Sequence, residues 1–139
     1  MKVLIIGSTG TIGSAILNEL KKDTDIITAS FSGGDIQVDL TDATSIKALY
    51  KKAGPLDAVI CAAARGVIFK KLPEMTRDDY VNSMQSKLIG QMDVVLQGQS
   101  LLNSGGSFTL TTGTLNRDPI TGGSAAAMVN NAVEAFVSL

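Results

Sequence analysis

The chain has 139 residues, a formal net charge of −1, 45% hydrophobic residues and 18% charged residues. This composition is typical of a soluble globular protein, and the length suits one domain over residues 1–139. The nearly balanced charge excludes a basic face, so no nucleic-acid partner is expected. No segment approaches the ~20 apolar residues of a membrane span, and the apolar run before Gly7 is too short for a signal peptide. We therefore expect a cytoplasmic protein without a membrane partner.

Histidine and cysteine usage narrows the chemistry that the chain can perform. The sequence contains no histidine, which removes the commonest general base and the commonest zinc ligand, and no metal site is expected. The single cysteine, Cys61, lies in the apolar run AVICAAA and cannot form an internal disulfide, in agreement with a reducing compartment. We interpret Cys61 as a small buried hydrophobe and not as a reactive thiol.

The first half of the chain alternates short apolar runs with helical periodicity. Lys2 to Ile6 is predicted as a strand buried on both faces, and it is followed by apolar residues at helical spacing, namely Ile12, Ala15, Ile16 and Leu20. Two further strands are predicted, Asp25 to Ser30 and, near an edge, Asp35 to Leu40. Thr41 or Asp42 can cap the next helix, which Gly54-Pro55 ends.

The second half continues this alternation. Leu56 to Ala62 is the fourth predicted strand and Ser107 to Gly113 the fifth. Between them, Thr76 and Asp79 have the spacing of a capping box that opens a long helix, with an apolar face of Val81, Met84, Leu88, Met92 and Val95. A last helix starts at Ser124, with an apolar side of Met128, Val129, Ala132, Val133 and Phe136. The pattern predicts a three-layer α/β fold with a Rossmann-like, doubly wound parallel sheet of strand order 3-2-1-4-5.

The stretch GSTGTIG, Gly7 to Gly13, follows the first strand and opens the first helix. In that position backbone N–H groups and the helix dipole face an anion, and Ser8, Thr9 and Thr11 add hydroxyl donors. A purely structural turn also favours glycine, but the strand-loop-helix context favours a dinucleotide or a similar phosphate ligand. The spacing is G-x-x-G-x-x-G and not the usual G-x-G-x-x-G, which indicates a particular branch of dinucleotide-binding proteins.

Four further blocks accompany this loop: VDLTD at Val38 to Asp42, LDAVICAA at Leu56 to Ala63, KLIG at Lys87 to Gly90 and GSFTLTTG at Gly106 to Gly113. With these blocks in this order, the chain resembles the short-chain dehydrogenase/reductase family from its first residue to its last. The resemblance implies an NAD(P)-dependent oxidoreductase acting on a carbonyl or alcohol. It also implies a homodimer or homotetramer formed through the helices of Thr76 to Leu102 and Ser124 to Leu139.

The resemblance implies a set of cofactor-binding residues. The pyrophosphate would be held by Gly7, Ser8, Thr9, Gly10, Thr11, Ile12 and Gly13. Asp39 and Leu40 would border the adenine, and Ala62 and Ala63 would lie along the nicotinamide-side ribose. Ser30 and Ser32 stand at the end of the second strand, where an acidic residue selects NAD and a basic one NADP; with neither present, NADP is only slightly favoured over NAD. A bulky residue at Gly13 is expected to abolish cofactor binding and to leave the fold intact.

The catalytic set of the family departs from this sequence at every position. The family uses Asn, Ser and a Tyr-x-x-x-Lys pair, whereas neither Tyr50 nor Tyr80 is followed by lysine four residues later. Matching GSFTLTTG and AVEAF to the family pattern leaves the following residues at the Asn, Ser, Tyr and Lys positions: Lys87, Gly113, Ala126 and Asn130. Alanine cannot transfer a proton and a glycine side chain cannot polarise a carbonyl, so the usual mechanism cannot run.

Weak catalytic candidates remain, and three functions stay open. Thr111 and Thr112 end the fifth strand near the expected nicotinamide site, and Lys87 can supply a cation there, although structural or solvated roles are favoured. The open functions are an oxidoreductase with a non-standard site, a non-catalytic NADP(H)-binding sensor or scaffold, and a protein for another phosphate ligand. Because a six-strand dinucleotide fold needs a strand after the fifth, either the chain is a fragment or truncated domain that lacks the last strands, which we favour, or its fifth strand is an unpaired edge that a partner covers.

Overall fold

Five parallel strands form the central sheet in the computed structural model of this chain, which describes residues 1–138. They are β1 (Lys2–Ile6), β2 (Asp25–Ser30), β3 (Ile36–Gln37), β4 (Leu56–Cys61) and β5 (Leu102–Leu110). A two-residue strand, Gly33–Gly34, precedes β3 and lies outside this sheet. The order across the sheet is β3-β2-β1-β4-β5, with all neighbours parallel. The predicted α/β fold and strand order are confirmed.

The central strand β1 is buried over its last four residues. Ile5 lies opposite Thr28 of β2 on one side and Ile60 of β4 on the other. Val3, Leu4, Ile5 and Ile6 are at most 1% exposed, because both faces of a doubly wound sheet are covered. The strand therefore fixes the position of the glycine loop that follows it, at the carboxyl edge of the sheet where ligands of such folds bind.

Helices follow the strands as predicted. They are α1 (Thr11–Leu20), α2 (Ala43–Ala53), α3 (Arg77–Ser83), a π-helical segment (Met84–Ile89), α4 (Gly90–Gly98) and α5 (Ser124–Val137). Short 3₁₀ turns lie at Leu72–Glu74, Gln99–Leu101 and Thr114–Asn116. Within residues 1–138, no helix combines the length and the apolar character needed to cross a bilayer.

Side-chain caps fix where α2 and α3 begin, whereas α1 and α5 begin without one. Asp42, and not Thr41, caps α2, because its Oδ1 accepts from the Thr44 amide at 2.8 Å. Thr76 and Asp79 form the predicted reciprocal capping box of α3, with the Asp79 amide donating to Thr76 Oγ1 and the Thr76 amide donating to Asp79 Oδ2. Each bond satisfies an N–H group that the helix itself leaves without an acceptor.

Two predicted strands have different bounds because side chains replace ladder partners. The third strand was expected over Asp35 to Leu40 but covers only Ile36–Gln37. The Asp35 carboxylate accepts from the amide and hydroxyl of Thr28, so a side chain occupies the donor that a strand residue would use. The fifth strand runs over Leu102–Leu110 and not Ser107 to Gly113. It ends because the Thr111 amide donates to Gln91 Oε1 at 3.0 Å, outside the sheet.

The buried face of the long helical region is not the apolar stripe that its periodicity indicates. Along α3, the π-helical segment and α4, the buried residues are Asp79, Ser83, Ser86, Gly90, Gln91, Val94 and Gly98. Small residues bring the helix close to the rest of the fold, since a Cβ added at Gly90 would lie 2.7 Å from the Leu40 carbonyl oxygen. The predicted stripe is partly or fully exposed, with Val81 43% exposed.

The thiol of Cys61 is buried at the end of β4, and burial raises its pKa to about 11. Because the thiolate is the reactive form, we expect less than about 5% labelling of native protein by iodoacetamide at pH 8 in the time that labels a free thiol fully. Unfolding in guanidinium chloride is expected to make Cys61 fully reactive. Mass spectrometry after quenching measures both, and rapid labelling of the native protein would contradict this assignment.

Candidate functional site

The glycine loop makes a tight connection between β1 and α1. Gly7 has a φ of +88°, and its amide donates to the Ala29 carbonyl at 2.7 Å. A Cβ at Gly7 would lie 2.8 Å from the backbone of Ala62 and Ala63, and one at Gly13 would lie 2.0 Å from the Gly7 oxygen. Gly7 and Gly13 are thus required by close backbone contact. Gly10 is different, because its φ of −81° suits any residue and a Cβ there would meet only the Gly7 oxygen at 3.4 Å.

The start of α1 has the donors that an anion needs. Gly10 occupies the N-cap position without a side-chain hydrogen bond, and the first amides of a helix have no acceptor within the helix. Thr9, Gly10, Thr11 and Ile12 are exposed, whereas Ser8 is buried and its hydroxyl lies 3.1 Å from that of Ser30. The amides of the turn that have no acceptor are therefore those of the first helical residues, Thr11, Ile12 and Gly13, which lie at the positive end of the helix dipole.

A cleft of about 370 Å³ opens beside this loop at the carboxyl edge of the sheet. Its lining includes most of the predicted cofactor residues, which are Gly7, Thr9, Gly10, Ser30, Asp39, Leu40, Ala62 and Ala63, together with Ser32. The other four predicted residues, Ser8, Thr11, Ile12 and Gly13, are not among those that line it. We call this space the adenosine cleft, because it adjoins the positions at which the family pattern places that half of a dinucleotide.

Phe31 and Arg65 line the adenosine cleft and are not among the residues that the sequence predicts. Phe31 follows β2, Arg65 follows β4, and the Arg65 guanidinium carbon lies 3.7 Å from the centroid of the Phe31 ring, within the range of a cation–π contact. Hydrogen bonds from Thr41 lower the pKa of Asp39, and the Arg65 charge lowers it further. The sequence around the end of β2 does not indicate this arginine, because Arg65 belongs to the loop after β4. The two loops meet in the fold because they follow parallel strands at the same edge of the sheet.

A second cleft, also about 370 Å³, contains the four positions of the family catalytic set. We call it the Lys87 cleft; it is lined by Ala64, Gly66, Val67, Phe69, Lys87, Gly113, Leu115, Ala126 and Asn130. Lys87 Nζ donates to Asn130 Oδ1 at 2.7 Å and lies 3.4 Å from the Thr112 carbonyl oxygen. Lys87 is half-buried in the π-helical segment, and desolvation lowers the pKa of its ammonium group. The structure brings together residues that are more than 40 positions apart.

The hydroxyl groups of Thr111 and Thr112 are used within the fold. Thr111 Oγ1 donates to the Cys61 carbonyl oxygen at 2.8 Å, and Thr112 Oγ1 lies 3.3 Å from Glu134 Oε1. Gln91, which is 1% exposed, also holds this segment, since its amide group bonds both the N–H and the C=O of Thr111. Both threonine hydroxyl groups therefore already donate within the fold. Of the three catalytic candidates, Lys87 is the one with an N–H donor still available.

Comparisons with known proteins agree with this architecture. The model of the NAD dependent epimerase/dehydratase family matches residues 3–87. The protein lin1944 from Listeria innocua is 46% identical, with a TM-score of 0.95 over 98% of this chain and 68% of that one. A small-chain dehydrogenase solved with NADPH is 26% identical, with a TM-score of 0.89 over 98% of this chain and 61% of that one. No curated protein matches the chain.

A more distant structure shows how far the fold is shared. A short-chain dehydrogenase/reductase from Serratia marcescens has a TM-score of 0.82 at 19% identity, covering 97% of this chain and 68% of that one. The glycine loop, the parallel sheet and the cleft at its carboxyl edge define a dinucleotide-binding α/β protein. With the family match and the 46% identical structure, the chain belongs to the short-chain dehydrogenase/reductase family.

Proposed function

We propose that this protein binds NADP(H) or NAD(H) and exchanges a hydride between the nicotinamide and a carbonyl or alcohol substrate. The observation that carries the proposal is the start of α1, where the first amides have no side-chain cap, beside a cleft lined by Asp39, Leu40 and Ala62. Neutral backbone donors at a helix N-terminus suit a pyrophosphate, and the apolar walls suit an adenine ring. The NADPH reported for the 26% identical dehydrogenase supports the same cofactor class.

The residues of this chain divide the work of holding such a cofactor. The turn from Gly7 to Gly13 would bind the pyrophosphate through the amides of Thr11, Ile12 and Gly13, because the preceding amides of the turn already donate within the fold. Asp39 and Leu40 would border the adenine. Ala62 and Ala63 would lie along the ribose on the nicotinamide side. They line the adenosine cleft and precede Ala64, which lines both clefts. Bound in this way, the cofactor supplies or accepts the hydride.

Binding is tested by titrating the protein with NADPH and NADH, following nicotinamide fluorescence and thermal shift together. Micromolar dissociation constants and a raised Tm are expected, because a ligand that binds only the folded state stabilises it. A non-catalytic sensor or scaffold is the alternative, favoured by Gly113 and Ala126 at positions where the family uses side-chain chemistry. It predicts the same binding with no NADPH oxidation by any aldehyde, ketone or quinone. Absence of binding to both cofactors would overturn both functions.

We propose that Arg65 gives the site a preference for NADP. Its guanidinium lies over Phe31, directly after β2, where the ribose that carries the 2′-phosphate binds in such folds. Ser30 and Ser32 line the same part of the cleft and add neutral hydroxyl groups. A planar guanidinium is well suited to a phosphate, because it donates two parallel hydrogen bonds.

Replacing Arg65 by alanine is therefore expected to weaken NADPH binding about tenfold or more, since a charge-assisted hydrogen bond contributes about 1.5–3 kcal/mol. NADH binding is expected to change less than about twofold. The matched control is Arg77→Ala on the first turn of α3, outside the residues that line the adenosine cleft, which should alter neither affinity. Competition by 2′-AMP against 5′-AMP gives a second readout. Equal weakening of both dinucleotides by Arg65→Ala would contradict the assignment.

We also propose a homo-oligomer formed through the outward face of the long helical region. Val81 and Leu96 on α3 and α4 are 43% and 52% exposed, and Met128 on α5 is 38% exposed. Exposed apolar side chains on neighbouring helices suit contact with a second copy of the chain. Light scattering after size-exclusion chromatography measures the mass of the particle in solution. A monomeric mass at a protein concentration of about 50 μM would contradict the proposal.

A further inference from the structure

The ammonium group of Lys87 stands in a cleft that is otherwise almost apolar. The lining contains Val67, Phe69, Leu115 and Ala126, and its other polar side chain is that of Asn130, which is 2% exposed. A lysine ammonium has three N–H donors. Two have acceptors, Asn130 Oδ1 and the Thr112 carbonyl oxygen, so a third remains for a ligand in the cleft.

Carboxylates of the described residues do not form an ion pair with Lys87. The ion pairs within residues 1–138 are Lys70 with Asp79 and Arg117 with Glu134. Glu134 of α5 is connected to the site only through the Thr112 hydroxyl. The titratable groups on the neighbouring α3 have other partners, since Asp79 pairs with Lys70 and Tyr80 bonds to Ser124. The charge of Arg65, in the loop after β4, lies over the Phe31 ring. Desolvation therefore dominates at Lys87 and lowers its pKa.

The pair formed by Lys87 and Asn130 is the family pair with its residue types exchanged. Relative to the family pattern, lysine stands at the asparagine position and asparagine at the lysine position, and the two side chains meet at 2.7 Å. Ala126 occupies the tyrosine position and lines the same cleft, so no phenol hydroxyl competes with Lys87 for a ligand there. Lys87 also lies within a π-helical segment, a feature that is frequent at functional sites.

We propose that Lys87 is the proton donor to the carbonyl oxygen of a small, largely apolar aldehyde, ketone or quinone bound in the Lys87 cleft. This role rests on the dinucleotide-dependent function proposed above. A reduced nicotinamide would supply the hydride for the new C–H bond and would itself be oxidised. The electron pair of the C=O π bond moves to oxygen, and the oxygen takes a proton from Lys87 Nζ. Lys87 is left as a neutral amine that regains a proton from water, and the reverse sequence oxidises an alcohol.

The test compares the wild type with Lys87→Met, Asn130→Asp and the exposed control Lys47→Met. NADPH binding by fluorescence should stay within about threefold of wild type in all of them, because Lys87 lies outside the adenosine cleft. NADPH oxidation with 4-nitrobenzaldehyde and 9,10-phenanthrenequinone should fall about a hundredfold or more in Lys87→Met, the usual contribution of a general acid. Circular dichroism and Tm establish that each variant is folded.

The pH dependence separates proton donation from a structural role. Reduction needs the protonated amine, so its rate should fall as pH rises through the pKa of Lys87. A carboxylate at position 130 raises the pKa of a neighbouring lysine, and Asn130→Asp should therefore move this fall to higher pH. A readout that needs no substrate is the pH dependence of Lys87 acetylation by acetic anhydride, followed by mass spectrometry. Its midpoint should lie below the ordinary lysine pKa of about 10.4 and should rise in Asn130→Asp.

The outcomes distinguish failure of this proposal from failure of the proposed function. A wild type that binds neither NADPH nor NADH overturns the function itself. A wild type that binds NADPH but oxidises it with neither probe overturns the proton-donor role alone. The same holds if Lys87→Met retains wild-type turnover, or if Asn130→Asp leaves both the rate profile and the acetylation midpoint unchanged.

Discussion

Replacing Gly13 by valine is expected to destabilise the fold by more than about 3 kcal/mol, at the upper end of overpacking substitutions. A Cβ at this position would lie 2.0 Å from the Gly7 oxygen and 2.7 Å from the Gly7 carbonyl carbon. Both atoms belong to the backbone directly after β1, so neither can move without displacing the central strand. This geometry contradicts the expectation from the sequence that a bulky residue at 13 abolishes cofactor binding and leaves the fold intact.

Urea unfolding followed by circular dichroism measures this effect, with the linear extrapolation of unfolding free energy to water. The matched control is Gly10→Ala in the same loop, where the φ of −81° is ordinary and the added Cβ would sit 3.4 Å from the Gly7 oxygen. The control is expected to change the unfolding free energy by less than about 1 kcal/mol. Equal midpoints for Gly13→Val and wild type would show that the loop relaxes without disturbing β1.

Replacing Gly10 by aspartate is expected to abolish dinucleotide binding in a protein that stays fully folded. Gly10 is the N-cap of α1, its ψ is 171°, and its own side-chain position lies in the exposed part of the loop. Aspartate is a preferred N-cap residue and favours the helix dipole, so helix stability should rise by a few tenths of a kcal/mol to about 1 kcal/mol. The same carboxylate would face the pyrophosphate, and a like-charge contact costs several kcal/mol.

The expected result is at least about a hundredfold loss of NADPH affinity, which corresponds to about 2.7 kcal/mol. Gly10→Asn is the matched control, because it has the same shape and capping ability without the charge. Asparagine should weaken binding much less than aspartate, and both variants should unfold at or above the wild-type Tm. Unimpaired NADPH binding by Gly10→Asp would place the pyrophosphate elsewhere and sink the proposed role of the loop.

Periodicity and capping chemistry were sufficient to predict most of the fold. The β1 and β2 bounds, the start of α5 at Ser124 and the Thr76 capping box are local features, and the parallel order follows from alternating strands and helices. The third and fifth strands have different bounds because Asp35 and Gln91 replace ladder partners. The replacement of a ladder hydrogen bond by a side-chain hydrogen bond depends on tertiary contacts, which the sequence of one strand does not reveal.

The prediction of which face of the long helical region is buried was wrong for a similar reason. Hydrophobic periodicity assumes that apolar side chains face the sheet, but here Gly90, Gly98 and small polar residues form the close contact. The positions that line the adenosine cleft were largely predictable, because they follow strands at one edge of the sheet. Arg65 was missed because it follows β4 and reaches the end of β2 only in three dimensions. The bond between Lys87 and Asn130 was missed because no rule relates residues of two distant helices.

The two clefts share a single lining residue, Ala64. The adenosine cleft is built from residues up to Arg65, with Ser86 as its one later member, whereas the Lys87 cleft draws on the segment 64–69 after β4, on Lys87, Gly113 and Leu115, and on α5. Substitutions at Gly113, at Leu115 or in α5 therefore reach the Lys87 cleft alone, whereas substitutions in the segment 64–69 reach both clefts. The Lys87 cleft can therefore change through residues after Lys87 while every residue that lines the adenosine cleft stays the same.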